Sequence, residues 1–216
     1  MALNKLKFNS FNVTPAASTA IRFNSDADGF ETASAGGSLV KISTTTISAD
    51  TSAVSITSGI NSTYKEYIFF FNNVHHDSTG ADFLFNMSVD SGSNYNVAKT
   101  TTYFKASHSE GDQSPDFGYV TGRDLAQGTG GQIVSSSTRA DDDSGISGFI
   151  HLFDPSSTTF VKHFIARFSD MTGNPGIAND NFSAGYGNTT SAVDAVQFSM
   201  SSGNLDSGSI SLYGVS

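Results

Sequence analysis

Oxygen donors alternate in RFNSDADGFE at 22–31, where Asn24, Asp26 and Asp28 precede Gly29, the opening pattern of a calcium-binding loop. A helix-flanked loop of that kind takes a bidentate glutamate at its twelfth position. Counting from Asn24, the twelfth residue is Ala35, and the flanking stretches FNVTPAASTAI and TASAGGS have neither helical apolar spacing nor caps. The reading is therefore a polar turn, with Asp26 and Asp28 bonding local backbone and Gly29 taking up positive φ.

His75-His76-Asp77 gathers the side chains of metal ligation and of proton transfer near neutral pH. Neighbouring residues on a strand point to opposite faces, so two adjacent imidazoles grip one ion only from a loop. Their place between YIFFFNNV and DSTG predicts a loop, and a solvated one. Asp141-Asp142-Asp143, beside Ser144-Gly145, is the densest charge in the chain, and flexible loop carboxylates are calcium ligands. A solvated hairpin loop between two strands needs no metal, and that is the expectation. His108, His151 and His163 are isolated, and His151, inside an apolar run, reads as a hydrogen-bonded structural histidine. No GxSxG elbow, phosphate loop, HExxH or cysteine nucleophile occurs. Only Glu31, Glu66 and Glu110 supply glutamate, the usual proton donor of paired-carboxylate glycoside cleavage. No enzyme activity, cofactor or metal is expected.

The elements that position these residues follow from composition. Good helix formers are scarce, whereas Thr, Phe, Tyr, Ser, Gly and Asp abound, so almost no helix is expected. From residue 38 onward ten short apolar runs alternate with polar, Gly-rich punctuation: SLVKISTTTI, AVSITS, YKEYIFFF, DFLFNMSVD, TTYFKAS, GQIVSSS, ISGFIHLF, FVKHFIARF, SAVDAVQFSM and SISLYGV. Ten runs of strand length predict an all-β domain over 38–216, an antiparallel β-sandwich of jelly-roll type. In DFLFNMSVD, Phe83, Phe85, Met87 and Val89 share one face; in FVKHFIARF, Phe160, Phe164, Ala166 and Phe168 share one, leaving His163, Ile165 and Arg167 on a mixed face open to a partner. With 18 Phe and no Trp, the expected core is phenylalanine-rich.

Zero cysteines exclude disulfides and thiolate chemistry. The net charge of -9, with 11 basic residues scattered along the chain, provides no footprint for nucleic acid or anionic lipid. No run approaches the ~20 apolar residues of a membrane-spanning helix, and MALNKLKFNSFN lacks the apolar stretch of a signal peptide. Synthesis in a cytoplasm without membrane insertion is expected.

Residues 1–37 differ in kind. KFNS at 7–10 recurs as RFNS at 22–25, a two-copy repeat too small to bury its own aromatics. The segment reads as an extended N-terminal arm whose Phe8, Phe11, Phe23 and Phe30 are hidden against sister chains or another protein. A second candidate surface lies in SGSNYNVA at 91–98 and DFGYVTGRDLAQGTGG at 116–131, where Tyr95, Phe117, Tyr119 and Arg123 have the chemistry to stack on sugars and bond hydroxyls. The longer segment reads as a binding loop or an insertion.

Three places, LNKLKFNSFNVTPAASTAIRFNSDADGF, INSTYKEYIFFF and the ending SGSISLYGV, resemble the small virion structural proteins of tailed phages, particularly those infecting marine bacteria and cyanobacteria. The resemblance covers the two ends and the first central strand. It implies a virion protein made in the host cytoplasm: a homotrimeric tail fibre or spike-like protein, docked to other virion proteins by its arm and presenting a β-sandwich to a host-surface glycan. A capsid decoration or cement protein, in effect a head fibre, is the alternative. The motifs are structural, so no catalytic residue is implied.

Overall fold

The computed structural model describes residues 19–34, 38–113, 115–173 and 176–216. Among these there is no helix; 14 strands form three sheets, and every described pairing is antiparallel. The smallest sheet is a hairpin of β1 (Thr19–Phe23) and β2 (Phe30–Ser34). The largest has eight strands, in the spatial order β3 (Leu39–Thr46), β14 (Leu205–Val215), β5 (Glu66–His76), β10 (Ile146–Phe153), β11 (Lys162–Thr172), β12 (Ile177–Gly187), β7 (Lys99–Ser109), β8 (Asp116–Tyr119). The third has four: β4 (Ala53–Ile56), β13 (Ala195–Met200), β6 (Phe83–Ser88), β9 (Gln132–Ser135). Residues 41–215 form one compact unit, and the hairpin belongs to a separate one.

The hairpin occupies part of the segment read as an extended arm. Its turn is built by Asn24, whose Oδ1 accepts from the backbone N–H of Asp28 (3.2 Å) and Gly29 (3.3 Å) while its Nδ2 donates to Asp28 Oδ1 (2.9 Å). The left-handed residue is Ala27, at φ 57°, and not Gly29 as expected. A side chain that bonds its own turn needs no ion to close it.

The large and small sheets face one another across the core. Alternation along β6 turns Phe83, Phe85 and Met87 inward, all buried, but the strand stops at Ser88 and leaves Val89 exposed. On β11 the inward face is Phe164, Ala166 and Phe168, again buried. Phe160, assigned to that face from sequence, precedes the strand in a bend and is 66% exposed; Lys162 takes the next inward position instead. Where the sheets meet, Phe71 from β5 packs against Phe168, Phe83 and Phe198 at ring-centroid distances of 4.9, 5.7 and 4.9 Å. Two motifs distant in sequence also touch: the Tyr64 ring lies over Gly214, so close that an added Cβ would sit 2.2 Å from a ring carbon. Only glycine fits beneath that ring.

Four strands lie outside the ten sequence runs: β1, β2, β8 and β12. β12 escaped because its buried face is polar, Asn179, Asn181 and Ser183, while Phe182, Ala184 and Tyr186 point outward. β8 lies within the segment read as a binding loop or insertion. His75 and His76 close β5 rather than occupying a solvated loop; His76 is fully buried, its Nε2 2.7 Å from the Thr138 hydroxyl.

Candidate interaction face

Within the unit of residues 41–215 the inner face of the large sheet is used by the core, and no described strand of that unit covers the outer face. Strand registers place one outward side chain from each of six neighbouring strands in a single row: Phe70, Phe149, Arg167, Phe182, Phe104 and Tyr119. Five of the six are aromatic. The Phe182 and Phe104 rings are stacked at 4.8 Å and 6°, and the Arg167 guanidinium lies 4.8 Å over Phe182, so the π faces are largely taken within the row. Arg167 also holds Asp180 bidentately at 2.7 and 2.9 Å, which neutralises its charge. Phe117, one pleat along β8 from Tyr119, meets Phe104 edge-on at 5.8 Å and is 72% exposed.

A shallow hollow lies on each side of this row. One, of about 590 Å³, is floored by Ala106, Ser147, Ser169 and Ala178; the other, of about 530 Å³, lies among Phe153, His163, Ile165, Ala184 and Tyr186. Ile165 is half exposed between row and hollow. Soluble chains seldom leave an apolar patch of this breadth bare without using it.

The sequence candidates are scattered by the fold. Phe117 and Tyr119 join the outer face. Arg123 turns away, donating to Asp82 Oδ2 (2.5 Å) and Ser137 Oγ (3.2 Å). Tyr95 sits in the loop after β6 with its hydroxyl enclosed and lacking a hydrogen-bond partner among the described residues. Phe23 and Phe30 stack on each other at 5.0 Å across the hairpin, while Phe8 and Phe11 lie outside the described residues. Phe70, Phe149, Phe104 and Phe182 were missed as a site because their row emerges only from the register of non-consecutive strands.

Beneath the outer strands the interior is polar. Asp170 is buried with no ion pair among the described residues, only the Lys105 charge at longer range; it accepts from Ser135 Oγ, Asn179 Nδ2 (2.7 Å) and Asn181 Nδ2 (2.6 Å), and Tyr103 donates to Asn181 Oδ1 (2.6 Å). Burial pushes the Asp170 carboxyl above its ordinary range, against the pull of its three donors. Lys99 and Lys162, both fully buried and flanking Gly187 in register, donate only to neutral acceptors. These groups brace strands and loops. No group of three or more His, Asp or Glu stands ready for a metal ion among the described residues.

His75 clasps the Asp141–Asp143 turn. Its Nδ1 faces Asp206 Oδ1 at 2.8 Å and its Nε2 faces the Asp141 carbonyl at 2.9 Å, two acceptors that only the imidazolium satisfies together. Burial alone would lower its pKa, but the Asp141 carbonyl and Asp206 outweigh it and hold the ring above its ordinary 6.5; His76, buried beside that charge, is pushed below it. A raised histidine contributes stability that is full below the unfolded pKa and is lost as pH rises through the folded value. His75→Gln should therefore cost more stability at about pH 5 than at about pH 8.5. Urea titrations of both proteins check this, and an equal cost at the two pH values counts against the clasp.

Compared with protein-family models, curated proteins and solved structures, the chain matches none of them.

Proposed function

We propose that this chain is a structural protein of a tailed-phage virion, fibre-like or spike-like, that folds as a jelly roll and acts by assembly and attachment rather than catalysis. The strand order supports the fold. Numbering β3, β4, β5, β6, β9, β10, β13 and β14 as first to eighth, one sheet reads 1-8-3-6 and the other 2-7-4-5, the arrangement of two interlocked Greek keys. The hairpins β7–β8 and β11–β12 are insertions that widen the first sheet to eight strands. Jelly rolls serve capsids and lectins among others, so the fold alone does not choose a function. The observation that carries the reading is the aromatic outer face of the widened sheet, which no described strand of residues 41–215 covers, a contact surface with no catalytic constellation beside it among the described residues. The resemblance of both chain ends to phage virion proteins supplies the setting.

A decoration or cement protein is the second reading, favoured by the hairpin, where Phe23 is 66% and Phe30 40% exposed. Such a stacked pair is suited to docking on a shell. The two readings separate when antibodies against the protein are applied to purified particles. Label on the tail or spikes, with blocked adsorption to susceptible cells, is the expected result. Label spread over the shell without effect on adsorption favours decoration, and absence from the particle overturns both.

A further inference from the structure

We infer that the outer face of the eight-stranded sheet is the surface through which two copies of this chain pack, related by a two-fold axis. The inference rests on the assembly part of the reading above but is tested without particles or cells.

Shape is the first ground. A ridge, the row from Phe70 to Tyr119, runs between two hollows on the same face. An isologous contact needs a self-complementary surface, and a ridge flanked by hollows is one: the two-fold seats the ridge of each copy in a hollow of the other. A three-fold assembly, expected from the sequence, needs two different complementary surfaces on each copy, whereas here ridge and hollows share one face.

Size is the second. Seven strands from β14 to β8 at ~4.8 Å each span about 30 Å, and about eight residues at ~3.3 Å run some 25 Å along them. The resulting ~750 Å² is close to the ~800 Å² that each partner gives to a standard stable interface.

Charge and ring orientation are the third. The chain carries -9 overall, so copies repel unless they meet where charge is balanced, and Arg167 is neutralised on this face by Asp180. A glycan would stack on the faces of aromatic rings. Phe104 and Phe182 have turned one face to each other and Phe182 its second to Arg167, leaving edges outward, the geometry of interdigitation with other side chains.

The test is the mass of the full chain in solution by sedimentation equilibrium and light scattering. Twice the single-chain mass of 22.7 kDa is expected for the natural protein. Ile165→Lys and, separately, Phe117→Lys change exposed side chains, so each should keep the β-sheet circular dichroism spectrum while converting the dimer to monomer. Gln197→Lys, on the outer face of the small sheet, should leave the dimer intact. A natural protein that is monomeric at about 100 µM overturns the inference, since interfaces of this size bind at micromolar affinity or tighter. A trimer, or a dimer unmoved by both outer-face variants, overturns it equally. So does a monomer that binds neutral oligosaccharides and loses them on Phe117→Lys. None of these outcomes decides whether the protein belongs to a virion.

Discussion

Phe198→Ala is expected to remove about 4 kcal/mol of stability. Phe198 lies on β13, fully buried, with its ring 5.5, 4.9, 6.3 and 5.8 Å from those of Phe69, Phe71, Phe83 and Phe85. Those four neighbours come from β5 and β6, so the ring joins the large sheet to the small one and also secures the strand beside it. Truncating a buried Phe costs about 3–5 kcal/mol through lost transfer energy and the cavity left behind. The upper half of that range applies here, because strands in two sheets hold the walls and prevent collapse. A domain with a typical 5–15 kcal/mol of stability then retains only a fraction of it. Phe198→Leu keeps most of the volume and should cost roughly half as much. Phe117→Ala, at an exposed ring, should cost under about 0.5 kcal/mol. Urea denaturation of the three variants gives the comparison, and a loss below about 1 kcal/mol for Phe198→Ala would mean that the sheets do not meet at this ring.

Where alternation follows the core, the sequence was informative. β6 and β11 were legible because Phe83, Phe85 and Met87, and Phe164, Ala166 and Phe168, fall at period two with polar residues between. The same rule failed on β12, whose inward Asn179 and Asn181 exist to bond the buried Asp170 on the neighbouring strand. Hydrophobicity reports burial only where burial is apolar. β8 failed for a different reason: its four residues DFGY sit in Gly-rich sequence, and what makes them a strand is the edge of β7, with partners from Ser107 for Asp116 to Phe104 for Tyr119. The site was less legible than the fold. His163, Ile165 and Arg167 were recognised as an open, mixed face from one strand, but the aromatic row needs the order β5-β10-β11-β12-β7-β8, which no local pattern encodes. Glycan-binding chemistry read from Tyr95, Phe117, Tyr119 and Arg123 assumed that neighbours in sequence would be neighbours on the surface; the fold keeps only Phe117 and Tyr119 together and commits Arg123 to Asp82.

Lys99 should make this protein more stable in mild alkali, against the common pattern. Its ammonium is fully buried at the start of β7 and donates to Asn86 Oδ1 at 2.5 Å and the Val97 carbonyl at 2.9 Å, both neutral. With no carboxylate to offset burial, its pKa falls from 10.5 to about 8. The folded state therefore releases a proton that the unfolded chain still holds between about pH 8 and about pH 10.5, and stability rises with pH wherever the unfolded state binds more protons. Each pKa unit corresponds to about 1.4 kcal/mol, so the rise across the window is about 3 kcal/mol. Lys162, also buried and lowered, adds in the same direction. Tyr103, whose hydroxyl burial pushes its pKa upward, opposes it only once unfolded tyrosines ionise near about pH 10. Lys99→Met removes the titration. It also leaves Asn86 Oδ1 and the Val97 carbonyl short of a donor, at about 1 kcal/mol each, but that cost does not change with pH. The slope therefore decides: between about pH 7.5 and about pH 10 the natural protein should gain about 2–3 kcal/mol of stability relative to the variant, whichever of the two is the more stable at the lower pH. Parallel curves in chemical denaturation would show that the Lys99 amine reaches water in the folded protein, and that the buried end of β7 opens in solution.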